Sequence, residues 1–145
     1  MLRITRAEEY YLGSARSGFQ GNVKLGFNKK GRILAADLYI IQQNGPNSGF
    51  PDLASAGGAL SLVYTPQSMR WRGIPIMTNR PPCGAQRGPG QNQIAVIIEP
   101  LLDKAAKELG IDRLAIRQIN APSHDALYDG DQHGITSSYM PEALK

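Results

Sequence analysis

The stretch RGPGQNQIAVIIEPLLDKAAKELG, from Arg87 to Gly110, decides the fold of this chain. Ile94, Ile97, Ile98, Leu101, Ala105 and Leu109 recur at three- and four-residue spacing, which predicts an amphipathic helix over Gln91–Leu109. Gly110 supplies its stop, and Pro100 removes one internal hydrogen bond and predicts a kink. Just before the helix, Gly88 and Gly90 bracket Pro89 directly after Arg87. Glycine removes the Cβ and lets a backbone approach a ligand, and the first turn of a helix offers unpaired N–H groups to an anion. Taken alone, such a turn is most often a plain loop, and Arg87 most often a surface arginine.

Working upstream, Asn22–Phe27 sets Val23, Leu25 and Phe27 on one face, the alternation of a strand. Asn28-Lys29-Lys30-Gly31 reads as a hairpin turn, with Gly31 at its positive-φ position. Ile33–Ile41 is a second strand, apolar on both sides, so both of its faces are expected to be covered. Residues 44–49 form a loop, and Leu53–Val63 a short helix of small residues weakened by Gly57-Gly58. Met69–Thr78 is a further strand, which Pro75 assigns to an edge or a bulge. Downstream, Asp112 caps a helix over Arg113–Ile119, and the sequence after Ala121 is polar and irregular. The elements give an α+β domain over 1–121, an antiparallel hairpin and further strand packed with the kinked helix, and a tail over 122–145.

With 145 residues, 41% hydrophobic and 19% charged, the chain can build a core, and the composition alone does not indicate disorder. The 16 Gly and 10 Pro predict many turns. No apolar run reaches the roughly 18 residues of a membrane span, and Met1-Leu2-Arg3 leads into polar sequence rather than a signal-peptide core. A single cysteine, Cys83, excludes an internal disulfide and a multi-cysteine metal site in this chain. The cytoplasm is therefore the expected compartment. Charge is uneven: Arg16, Lys24, Lys29, Lys30, Arg32, Arg70, Arg72 and Arg80 face only Asp37 and Asp52, whereas the tail carries Asp125, Asp129, Asp131 and Glu142. A basic front half suits nucleic acid, an anionic cofactor or an acidic neighbour, and the net charge of +4 does not choose among them.

Three further groups invite a chemical reading. Arg70-Trp71-Arg72 has the basic–aromatic alternation of nucleic-acid surfaces, but a half-buried strand with Trp71 inward gives the same pattern and is the simpler account. Cys83 with His124 and His133 could suggest a nucleophile pair, and the two histidines a metal site, yet nothing in their spacing brings them together, so no catalytic and no metal-ligating residue is assigned. Glu99-Pro100 lies inside the predicted helix, where a structural role is expected.

Gln86-Arg87-Gly88-Pro89-Gly90-Gln91-Asn92-Gln93, followed by Glu99, Leu109-Gly110 and Arg117-Gln118-Ile119-Asn120, resembles the pterin-contacting segment of the molybdenum hydroxylases, the xanthine dehydrogenase and aldehyde oxidase family. Thr5-Arg6-Ala7-Glu8-Glu9, Val23–Phe27, Gly31, Tyr64 and Thr78-Asn79 fall in the family's order, so the resemblance runs from Leu2 to about Asn120. It implies an internal segment of the molybdenum-binding large subunit, whose complete enzyme hydroxylates an aldehyde or N-heterocycle with molybdenum–molybdopterin. The implied cofactor-binding residues are Ala85, Gln86, Arg87, Gly88 and Gly90, with Pro89 at the substrate pocket.

Two departures limit the substrate. Pro89 stands where relatives often carry a stacking aromatic, and no Arg or Lys lies between Phe50 and Tyr64, which argues against xanthine. The family's catalytic glutamate, in a Gly-Glu-Pro motif, is absent, since Glu99 follows Ile98. The chain is thus expected to be inactive alone, as a truncated form, a split subunit or a relic. Expected partners are the rest of the molybdenum subunit and iron–sulfur and flavin subunits, within a homo- or hetero-oligomer and with no membrane. A non-catalytic binding or assembly module is the alternative, with RNA binding behind it.

Overall fold

The computed structural model describes residues 3–47, 49–128 and 132–145. Met1, Leu2, Ser48 and the tail carboxylates Asp129 and Asp131 lie outside these residues. Among the described residues the elements in order are α1 (Arg6–Leu12), β1 (Phe19–Phe27), β2 (Ile33–Gln43), α2 (Asp52–Tyr64), β3 (Ser68–Ile76), α3 (Gln91–Leu109), α4 (Arg113–Asn120), β4 (Leu127–Tyr128), β5 (His133–Gly134) and α5 (Met140–Ala143).

The expected hairpin is present. β1 and β2 pair antiparallel, and Gly31 at φ 85° closes the turn while the Asn28 side chain accepts from the N–H groups of Lys30 and Arg32. β3 then joins the other edge of β2 in parallel, with α2 as the crossover that a parallel pair requires. Pro75 sits in this edge strand, where a missing N–H costs least.

One expectation about β2 fails. Ala36, Leu38, Ile40 and Gln42 are buried, but Ala35, Asp37, Tyr39, Ile41 and Gln43 are not, so the strand has one covered face and one open face. The helices α2 and α3 both lie on the Leu38 side, and no described element covers the other. Charge fills the open face instead: Asp37 pairs with Arg70 and Arg72, and Arg72 sits 5.3 Å from the Tyr39 ring. Trp71 points the opposite way, into the core beneath Gly57. The basic–aromatic triplet therefore offers no outward tryptophan for stacking.

The main core is Ile33, Leu38 and Ile40 of the sheet against Leu60 and Tyr64 of α2 and Ile94, Ile98 and Leu102 of α3. The buried seam of α3 runs 94, 98, 102, 105, 106, so Leu102 and Ala106 are buried where periodicity favoured Leu101 and Leu109. The helix runs on through Pro100, whose ring lies on the exposed side. A second cluster of Ala105, Ala106 and Ile116 seats α4. Asp112 caps α4 as expected, accepting from Leu114 and Ala115 N–H. The short helix α1 was not anticipated; Thr5 and Glu8 form a capping box at its start. The stretch after Ala121 carries two-residue strands and one helical turn, and Met140 packs on the main core.

Candidate functional site

Residues 82–88 lie alongside residues 14–17. Ala15 N–H donates to the Pro82 carbonyl at 2.9 Å and Gly84 N–H to the Ala15 carbonyl at 3.0 Å, forming a parallel bridge. The Gln86 amide donates to the Ser14 carbonyl at 3.1 Å. Beyond Gln86 this main-chain pairing ends and a side chain replaces it. The Arg16 guanidinium donates to the Arg87 carbonyl at 2.7 Å and the Gly88 carbonyl at 3.2 Å, and reaches Gln93 Oε1 at 3.4 Å.

Gly88 and Gly90 both adopt positive φ, 69° and 72°. They turn the chain into α3, and Gly90 lies directly on the first turn of α2. The carbonyls of Arg87 and Gly88 face the protein, whereas the N–H groups of Ala85, Gln86, Arg87 and Gly88 donate to no described residue. Ala85, Gln86 and Arg87 are exposed, Gly88 and Pro89 half-buried, and Gly90 buried. The Arg87 guanidinium has no partner among the described residues.

Beneath the loop sits a buried polar cluster that local sequence patterns did not reveal. Asp52, 1% exposed, opens α2. Its Oδ2 accepts from the Ser17 hydroxyl and from the Gln93 amide, while Oδ1 is buried without a partner. Gln93 also donates to the Ser17 carbonyl at 3.1 Å. Gln42 accepts from Leu53 N–H at 3.0 Å, so it caps α2 where Pro51 provides no side-chain cap. Two signals pointed here: a Gln inside an apolar strand, and an Asp at a helix start.

Residues 1–121 match the family model described as the molybdopterin cofactor-binding domain. The chain belongs to this family. It is 30% identical to the xanthine dehydrogenase molybdenum-binding subunit of Escherichia coli O157:H7 over 98% of this chain and 19% of that protein. It is 34% identical to the aldehyde oxidoreductase of Megalodesulfovibrio gigas over 83% of this chain and 14% of that protein. The crystal structure of the aldehyde oxidoreductase from Desulfovibrio desulfuricans superimposes with a TM-score of 0.80 at 25% identity, covering 94% of this chain and 15% of that one. The chain thus spans about a fifth or less of the relatives it matches. The mixed helix-and-strand architecture is that of the molybdopterin-binding domain, and molybdenum–molybdopterin is the cofactor of the complete enzymes.

Within this molybdopterin-binding segment, the downstream motif residues hold structure together. Glu99 accepts from the Tyr64 hydroxyl and pairs with Arg117 at 2.7 Å, and Arg117 also reaches Asp103 at 2.9 Å. Burial, then the Glu99 carboxylate, pushes the Tyr64 phenol well above its ordinary range. Asn120, fully buried, donates to the Gly31 and Ile116 carbonyls and accepts from Ile33 N–H and Arg32, tying α4 to the hairpin.

Cys83 is buried and takes a weak contact from the Gln43 amide at 3.8 Å, while His124 accepts from Ser138 N–H and packs edge-on to Tyr139. Among the described residues no group of three or more His, Cys, Asp or Glu could hold a metal ion. No helix there is long and apolar enough to cross a membrane. A cavity of about 470 Å³ opens between α2 and α3, walled by Gly58, Leu62, Val63, Ile94 and Tyr128; residues 85–90 do not line it.

Proposed function

We propose that residues 85–90 form one wall of the molybdenum–molybdopterin pocket in a complete hydroxylase, and that this chain alone is catalytically silent. The observation that carries the reading is the row of unclaimed N–H groups from Ala85 to Gly88, on an exposed loop in a segment, 82–93, that contains no acidic residue. Such donors suit an anionic or oxo-bearing ligand, and the positive end of α3 adds to them. The residues present therefore fit the group. The Ala85, Gln86 and Arg87 main chain would hold it, with the free Arg87 guanidinium as a further planar donor. Gly88 would allow the turn beside the ligand, Gly90, buried against the Asp52 backbone, would set the height of the loop, and Pro89 would border the substrate. When bound, the molybdenum centre supplies the oxidative chemistry of hydroxylation at an aldehyde or N-heterocycle carbon.

The Gly-Glu-Pro glutamate is not in this sequence, so the base comes from the remainder of the molybdenum subunit. Iron–sulfur and flavin partners in a cytoplasmic assembly would carry the electrons away. Residues 1–121 act as the pocket segment and 122–145 as an accessory tail. Tyr10, Tyr11, Leu12, Met77 and Val96 are each more than two-thirds exposed, which favours burial against such partners and equally suits an assembly module.

The test is pterin content after co-expression with the remaining subunit portions. A Cβ on Gly88 meets only the Asn92 side chain, at 2.8 Å, so Gly88→Val should disturb the loop surface more than the core. Loss of pterin beyond what the fall in thermal stability accounts for is expected, the positive-φ penalty alone costing about 1–2 kcal/mol. Full pterin occupancy in that variant defeats the pocket-wall reading and leaves the assembly module.

A further inference from the structure

We infer that Arg16 is the positioning residue that fixes which way the 85–90 loop faces, by clamping two successive carbonyls so that the N–H groups turn outward. The inference rests on the pocket-wall reading for its functional meaning, but not for its geometry.

Besides Arg16, among the described residues only Asn92 holds the loop at this point, its main-chain N–H donating to the Gly88 carbonyl at 3.2 Å and its side chain to the Arg87 carbonyl. Its first half is held by main-chain bonds to Ala15 and by the Gln86–Ser14 contact. Its end is fixed where Gly90 meets α2. Between these anchors, Arg87 and Gly88 sit at a glycine with positive φ, where a peptide plane can flip at little cost. A flip of that plane would exchange the Gly88 N–H for the Arg87 carbonyl on the outer surface and reverse its polarity. Arg16 opposes this, because its two terminal nitrogens meet the Arg87 and Gly88 carbonyls together, at 2.7 and 3.2 Å. Asn92 adds one contact to the Arg87 carbonyl at 3.1 Å. A planar guanidinium can span two acceptors in this way, and an ammonium on a flexible stem cannot hold both in fixed directions.

Arg16 is itself held in place. Its neighbour Ser17 is buried and bonded through its hydroxyl to Asp52, and Gln93 links Ser17, Asp52 and the Arg16 guanidinium. The clamp therefore transmits the position of a buried carboxylate at the start of α2 to the exposed loop. The side chain thus joins its own segment to the loop and to the start of α3, and α2 is reached through Gln93.

Trypsin supplies a local readout, because the Arg87 side chain is exposed while the Arg87 carbonyl of the cleavable bond is the one Arg16 holds. Limited digestion of the full 145-residue chain, with the 1–87 and 88–145 fragments followed by mass spectrometry, compares wild type, Arg16→Met and Arg16→Lys. Arg16→Met should release the pair at least tenfold faster, with a thermal midpoint close to wild type. Arg16→Lys should fall between, since it restores charge and one bond but not the two-carbonyl clamp. Wild-type cleavage rates in Arg16→Met, or in Arg16→Lys should the methionine variant not fold, overturn the inference. Pterin content of the co-expressed subunit separates the two readings: fast cleavage with full pterin keeps the clamp and sinks the pocket wall, whereas unchanged cleavage sinks the clamp whatever the pterin content.

Discussion

Gly90 rests so closely on Asp52 that a Cβ at this position would stand 2.0 Å from the Asp52 carbonyl oxygen and 2.9 Å from the Ala56 nitrogen. Both atoms are backbone, so neither can turn aside. The glycine thereby sets the distance between the start of α3 and the start of α2, and with it the height of the 85–90 loop above the buried cluster.

A first prediction contrasts the two glycines. Gly90→Ala should destabilise the chain by about 3 kcal/mol or more, combining forced displacement of α2 with a positive-φ penalty. Gly88→Ala carries mainly the φ penalty, about 1–2 kcal/mol, because the Asn92 side chain can swing away. Urea unfolding of the two variants measures the difference, and equal losses would contradict the packing argument.

Asn120→Ala should cost about 3 kcal/mol, since it strands the buried Ile33 N–H and two carbonyls at once. Asn120→Asp should not rescue it, because the Gly31 and Ile116 carbonyls need a donor. Denaturant midpoints test both. A loss under 1 kcal/mol in Asn120→Ala would mean that water replaces the side chain.

Alkaline stability should depend on Tyr64. Its phenol is held above the ordinary value of 10.0 in the folded chain, by burial first and the Glu99 carboxylate second. A folded value above the unfolded one means that this contribution is complete below pH 10 and is lost as pH rises toward the folded value. Tyr64→Phe should therefore show a shallower loss of stability above pH 10 than wild type. In wild type, one of the six tyrosines should resist ionisation by absorbance until the chain unfolds.

Cys83 should behave as an inert thiol. Burial, with the Asp52 charge second, raises its pKa and suppresses the thiolate. A disulfide reagent at pH 8 should react only as fast as the chain opens, and much faster in urea. Rapid labelling of the native chain would refute the buried placement.

The isolated chain should show no hydroxylase activity toward aldehydes or N-heterocycles with an artificial electron acceptor, since the Gly-Glu-Pro glutamate is missing. Turnover by purified protein would show that a base within these residues suffices.

Sequence by itself determined the elements whose causes are local. The spacing of Ile94 and Ile98, with Gly110 behind them, marked α3; Gly31 marked the hairpin; Asp112 marked the start of α4. Each signal lies within a few residues of the element it specifies, because helix periodicity, caps and turns are short-range effects. The motif around Arg87 also carried the family. The open face of β2, its parallel pairing with β3, and the arrangement beneath the loop were decided only by the tertiary structure. Apolar residues on both sides of Ile33–Ile41 do not state which side the helices take. Arg16 meets Gly88 across 72 positions, and Asp52 meets Gln93 across 41. No periodicity encodes such a meeting. It exists because the packing of α3 on α2, with both against the sheet, brings their ends together, and that packing depends on the shapes of all three at once.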